Sequence, residues 1–202
     1  GDQKRYRNLF RQSMRQLIAV GRGKDLLRMA ELVGDDTSIG RIKRQTVELI
    51  GYTADFQYSN AQSLISEMLS ASKGTEMENF ITKFTAAASA YVDFATGLDA
   101  QLDKNVATAV GATAKELDLA PIDKISILKV AVAKEIIYDS ADRIYELQET
   151  AVTLAGDDSS PMMQYSLGAI NACVLLYKGE FQSALLGANN AIAQADREGY
   201  AG

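Results

Sequence analysis

A helical pattern cut at near-regular intervals constrains this chain more than any other feature. The breaks are GRGKD (21–25), GDDTS (34–38), YTADFQYSN (52–60), SKGT (72–75), ATGLD (95–99), LAPID (119–123), IYDSAD (137–142), GDDSSP (156–161) and YKGEF (177–181). Between them run segments of about 12–18 residues rich in Leu, Ala, Glu, Lys, Gln and Arg, the better helix formers. Only two prolines occur in 202 residues, so little interrupts a helix from within. Alternating Val/Ile/Thr runs and Asn-Gly or Asp-Gly hairpin turns are lacking, so the chain reads as all-α. Helices of this length joined by short loops fold back on one another as antiparallel hairpins.

Several breaks carry their own stop and start chemistry. In DDSSPMM, Ser160 is placed to cap a helix whose first residue is Pro161, where a missing N–H costs nothing. In GDDTSIG, Asp36, Thr37 or Ser38 can do the same. Gly34 and Gly156 stand where a helix ends and a positive φ is useful. The loops GDDTS and GDDSS lack the remaining acidic positions, the central Gly and the closing Glu of an EF-hand loop, so they read as helix ends.

The hairpins also repeat. Phe181-Gln-Ser-Ala184, Tyr138-Asp-Ser-Ala141, Leu98-Asp-Ala-Gln101 and Tyr58-Ser-Asn-Ala61 are in phase, at steps of 43, 40 and 40 residues. The last unit adds Ala184, Ala188, Ala191 and Ala195 along one helix face, where small side chains let a neighbouring backbone come close.

On these residues the last unit resembles a tetratricopeptide repeat. Ala172, Gly179, Glu180, Phe181, Ala184, Ala188 and Ala191 stand at the motif's small, turn and aromatic positions. Units at 41–72, 80–118 and 122–156 keep the length with fewer signature residues. The spacing of 40–43 exceeds the motif's usual length of about 34, and most units lack its closing proline. The resemblance implies a right-handed α-α superhelix, a tetratricopeptide-like solenoid of about five antiparallel helical hairpins. Residues 1–202 would form a single helical-repeat domain, with hairpins near 3–34, 38–73, 77–118, 122–156 and 161–198. In that frame Phe181 plugs the gap beside its turn. The first helices of the pairs line a concave groove at Lys43, Thr46, Thr53, Lys83, Asp93, Asp123, Ser126, Ser166 and Cys173.

Catalysis finds little in the chain. Histidine is absent, which removes the commonest general base and transition-metal ligand, and with them Ser-His-Asp and Cys-His chemistry. The single Cys173 sits in the apolar run AINACVLL and excludes an intrachain disulfide or thiolate cluster. No phosphate loop or dinucleotide fingerprint is present. The expectation is a protein that is not an enzyme and needs no cofactor or metal. It would be a scaffold or regulatory sensor module binding a protein or peptide in the groove, within a longer bacterial signalling or transcription-regulating protein. The alternative is a helical-bundle sensor enclosing a small molecule, with Tyr52, Tyr58, Phe84, Tyr91 and Phe94 around the cavity.

Charge is uneven. Residues 1–44 carry eleven Lys/Arg against five Asp/Glu, while the whole chain is −5. Lys4, Arg7, Arg11 and Arg15 form a basic stripe on one helix face, able to meet phosphates or an acidic neighbour. The acidic balance and the absence of any recognised motif disfavour nucleic acid. Self-association would set the acidic end of one protomer against the basic end of the next. No apolar run reaches 18 residues, so no transmembrane segment is expected. The sequence leaves the compartment open between the cytoplasm and, if a targeting segment has been removed, the periplasm.

Overall fold

The computed structural model describes residues 13–14, 17–18, 21–113, 115–138 and 141–198. Among the described residues the secondary structure is helical, with no strand. The chain divides between Lys73 and Gly74 into two compact units, each considered by itself.

The first unit holds α1 (Gly23–Glu31), α2 (Ser38–Ala54) and α3 (Tyr58–Ser72). α1 packs on α2, and α2 on α3. The close seam between α1 and α2 depends on glycine. A Cβ on Gly23 would lie 2.5 Å from the Asp55 backbone nitrogen, and one on Gly51 2.8 Å from the Leu27 side chain. Leu26, Val47, Leu49, Leu64 and Met68 are buried there. The start of α2 is capped as expected, with the Thr37 hydroxyl accepting from the Gly40 N–H at 3.0 Å. Arg44 ties Asp35 (2.8 Å) and Glu48 (2.9 Å) around that same start.

The second unit holds α4 (Glu78–Thr96), α5 (Asp99–Val110), α6 (Pro121–Tyr138), α7 (Ala141–Ala155), α8 (Pro161–Tyr177) and α9 (Phe181–Glu198). Consecutive members of each pair, α4/α5, α6/α7 and α8/α9, pack together, and the short links between them turn the chain back on itself. The pairs then stack in order. α6 rests on both α4 and α5, and α8 rests on both α6 and α7. Ala86, Ala90, Leu102, Val106, Ile125, Leu128, Val132, Leu147, Met163 and Ile170 form one continuous core through these layers.

Local signals account for the boundaries. α4 ends on Gly97 with φ +74°, a left-handed position that suits a residue without Cβ. α6 opens at Pro121, and the Asp123 carboxylate accepts from the Ala120 N–H at 3.0 Å. The Lys124 amine donates to the last carbonyls of the preceding helix region, Val110 (2.8 Å) and Ala112 (2.7 Å), and so binds the end of α5 to the start of α6. In each pair the second helix begins within the in-phase tetrad, at Tyr58, Asp99, Ala141 and Phe181.

Three local expectations change. The Ser160 side chain makes no cap hydrogen bond to α8; the loop before the helix is instead held by the Ser160 N–H donating to the Asp158 carboxylate at 2.8 Å. Gly156 has φ +52°, but Gly34 is not left-handed, since the chain leaves α1 at Leu32 through ordinary right-handed geometry. Phe181 is 67% exposed and plugs nothing. The α8/α9 seam is already closed by small residues: a Cβ on Gly187 would lie 3.7 Å from that of Ala172, and one on Gly168 3.6 Å from that of Ala191. The basic stripe Lys4, Arg7, Arg11 and Arg15 lies outside the described residues.

Candidate functional site

α6 divides along its length. Ile125, Ile127, Leu128, Ala131 and Val132 are buried on one side, together with Lys134 and Glu135. On the other, Ile122, Ser126, Lys129 and Ala133 follow an i, i+4, i+7, i+11 line and are half-buried, while Ile137 is 70% exposed. The first helices on either side carry matching lines. Phe80, Lys83, Ala87 and Tyr91 lie on α4, and Met162, Tyr165, Ala169 and Cys173 on α8, all half-buried. The three first helices pack in order into one face, α6 against both α4 and α8, and a contact crosses between two of their lines. The Lys129 amine lies 4.9 Å from the centroid of the Tyr165 ring.

The electrostatics of this face centre on Lys129. α6 carries three lysines drawn in from solvent, and they are handled differently. Lys124 donates to two carbonyls. Lys134 is held by Asp103 at 2.7 Å and Glu135 at 3.5 Å; burial lowers its affinity for the proton, but the two carboxylates outweigh this and hold the ammonium. Lys129 has the ring of Tyr165 and no carboxylate among the described residues, and burial pushes its amine down. Beside it, burial pushes the Tyr91 hydroxyl well above the ordinary range, with Asp123 adding to the effect. The Cys173 thiol is pushed up by burial and is a poor nucleophile. The face is thus mostly apolar, with one under-compensated cation near its middle.

The groove residues read from the sequence fall in different places. Lys83, Ser126 and Cys173 lie on this face. Asp123 stands at its edge, occupied with the start of α6. Asp93 is turned into its own hairpin: it is 7% exposed and accepts from the Asn105 amide on α5 at 2.6 Å. Burial raises its carboxyl, and the Asn105 bond offsets part of the rise. Ser166 is 1% exposed and belongs to the core side of α8. In the first unit Lys43 is exposed on α2, while the Thr46 and Thr53 hydroxyls donate back to the Ile42 (2.7 Å) and Leu49 (2.8 Å) carbonyls of their own helix. Those two hydroxyls are therefore spent locally. Tyr52 and Tyr58 belong to the first unit and Phe84, Tyr91 and Phe94 to the second. Within the second, Phe84 is buried and stacks on Phe80, and Phe94 is exposed.

Lys129 and Tyr165 were missed by sequence reasoning. The signal was present: Lys129 is one helical step beyond Ser126, and Tyr165 is the residue before Ser166. Choosing Asp123 and Ser166 from the motif's register instead set those positions a residue off the face.

Among the described residues, no three acidic or thiol side chains come together in a way that could hold a metal ion. Nor is any helix long and apolar enough to cross a membrane. No family model, curated protein or solved structure matches the chain.

Proposed function

We propose that this protein is a non-catalytic binding scaffold, a tetratricopeptide-like array that holds an extended segment of a partner protein against the face formed by α4, α6 and α8. One observation carries the reading: each first helix packs on the first helix of the next pair, so their half-buried lines make a continuous, mostly apolar surface around Lys129. Such a surface offers an extended chain regularly spaced contacts and one cationic anchor. The repeat spacing, the hairpin pairing and the small-residue seam of Gly168, Ala172, Gly187 and Ala191 support the tetratricopeptide-like assignment, with a right-handed superhelical path. A regulatory role follows from binding without chemistry.

A displayed random-peptide library tests this directly. Peptides selected on the full chain should lose affinity at least tenfold, about 1.4 kcal/mol, when Ser126→Arg or Ala133→Arg blocks the centre of the face. Selected peptides that bind both variants as well as the parent chain would overturn the assignment of this face.

A further inference from the structure

α9 has one packing partner, α8, among the described helices. Beside the alanine strip that packs on α8 it exposes Phe181 (67%), Leu185 (63%) and Ile192 (57%), with Leu186 (63%) further round the helix. Phe181, Leu185, Ala188 and Ile192 fall at i, i+4, i+7 and i+11 and so share one stripe. No charged residue occurs between Glu180 and Asp196, in a chain of which 23% is charged. Charge returns only at the ends, with Lys178 and Glu180 before the helix and Asp196 and Arg197 in its last turn, all exposed. An uncharged apolar centre with a charged rim has the anatomy of a protein interface.

We propose that α9 pairs with α9 of a second copy of this chain through this stripe, antiparallel about a twofold axis that crosses the helix at the height of Gly187. In this register Phe181 of one copy meets Ile192 of the other, and Leu185 packs beside the axis. Lys178 then faces Asp196 of the other copy, and Glu180 comes within a turn of Arg197, each contact occurring twice. The order of charges is self-complementary only in this direction; a parallel pair would set Lys178 against Lys178 and Asp196 against Asp196. Antiparallel helices also oppose their dipoles favourably. A second copy, rather than an unrelated partner, is what makes both rims complementary without invoking any further sequence.

The 18 residues of α9 span about 27 Å. One helix face of that length buries less than the ~800 Å² per partner of a standard interface. The pair should therefore be reversible, with a dissociation constant on the order of 10–100 µM.

Sedimentation equilibrium of the full chain from 5 µM to 1 mM reads this out. The expected result is a monomer–dimer equilibrium that Leu185→Glu/Ile192→Glu weakens at least tenfold, with circular dichroism unchanged because both side chains are exposed. Lys178→Glu alone should weaken dimerisation about three- to tenfold, and Lys178→Glu/Asp196→Lys should restore it. A monomer at every concentration overturns the proposal. So does a dimer indifferent to Leu185→Glu/Ile192→Glu, or a charge swap that fails to restore what the single change lost.

Discussion

Asp93 shows how a single residue type can be read correctly as polar and helical yet be assigned the wrong neighbour. Its carboxylate is buried against α5 and accepts one amide hydrogen bond from Asn105. Burial raises its proton affinity more than that bond lowers it. A carboxyl raised in the folded state contributes its full stability below the unfolded value, near 4, and loses it as pH rises through the folded value. At neutral pH the fold therefore carries the cost of an ionised, desolvated Asp93. Asp93→Asn keeps an acceptor for Asn105 and removes the charge. It should raise Tm at pH 7 by about 1–3 °C, the scale on which a few tenths to one kcal/mol moves a chain of this size. That gain should shrink as the pH falls toward 4. Thermal melts of both proteins from pH 4 to 8 check this; a Tm at pH 7 below that of the parent chain would mean that the charged form is the better-held one.

At the scale of elements, the last hairpin explains why a helix would line one face with Ala184, Ala188, Ala191 and Ala195. Ala184, Ala191 and Ala195 are buried, and α8 answers them with Gly168 and Ala172, so two backbones approach closely. Close approach does not require glycine at every point. A Cβ on Gly187 would sit 3.7 Å from that of Ala172, an ordinary contact, whereas glycine inside a helix costs about 0.5–1 kcal/mol relative to alanine. Gly187→Ala should thus stabilise the protein by about that amount in urea unfolding, and Gly187→Leu should cost about 1–3 kcal/mol by overpacking. A loss of stability with alanine would mean that the helices pack more tightly than described. The same hairpin marks where sequence reasoning reaches its limit. Small-residue spacing reveals that two helices touch, because only contact makes bulk unwelcome. Exposure depends on what lies on the far side, and Phe181, matched by its position in the motif, turns out to face solvent. The in-phase tetrads found the starts of the second helices because chain reversal needs local chemistry. The face of α4, α6 and α8 was half legible: Lys83, Ser126 and Cys173 share it, but Asp123, Ser166 and Asp93 are taken by a helix start, the core and a hairpin seam. Which polar side chains are already occupied is a tertiary fact.

For the molecule as a whole, the boundary after Lys73 raises the question of what each part can do unaided. Regular hairpins suggest one continuous domain, because repeats of similar length stack on whichever neighbour precedes them. Yet the core that runs from Ala86 to Ile170 is contained within the second unit, where every pair from α4 to α9 finds a partner. A stack of three hairpins is about the smallest array expected to bury a continuous interior. Residues 74–198, expressed alone, should therefore be helical by circular dichroism and unfold in one cooperative urea transition, with a slope of about 1–3 kcal/mol/M. Within that fragment, Leu128→Ala should lower stability by about 2–5 kcal/mol, since Leu128 is 1% exposed at the centre of the core. A broad, sloping transition in the fragment together with a sharp one in the full chain would instead make the first unit a necessary cap. Either result separates repeats that are merely similar in length from repeats that share stability, a distinction on which any use of the α4–α6–α8 face as a rigid platform depends.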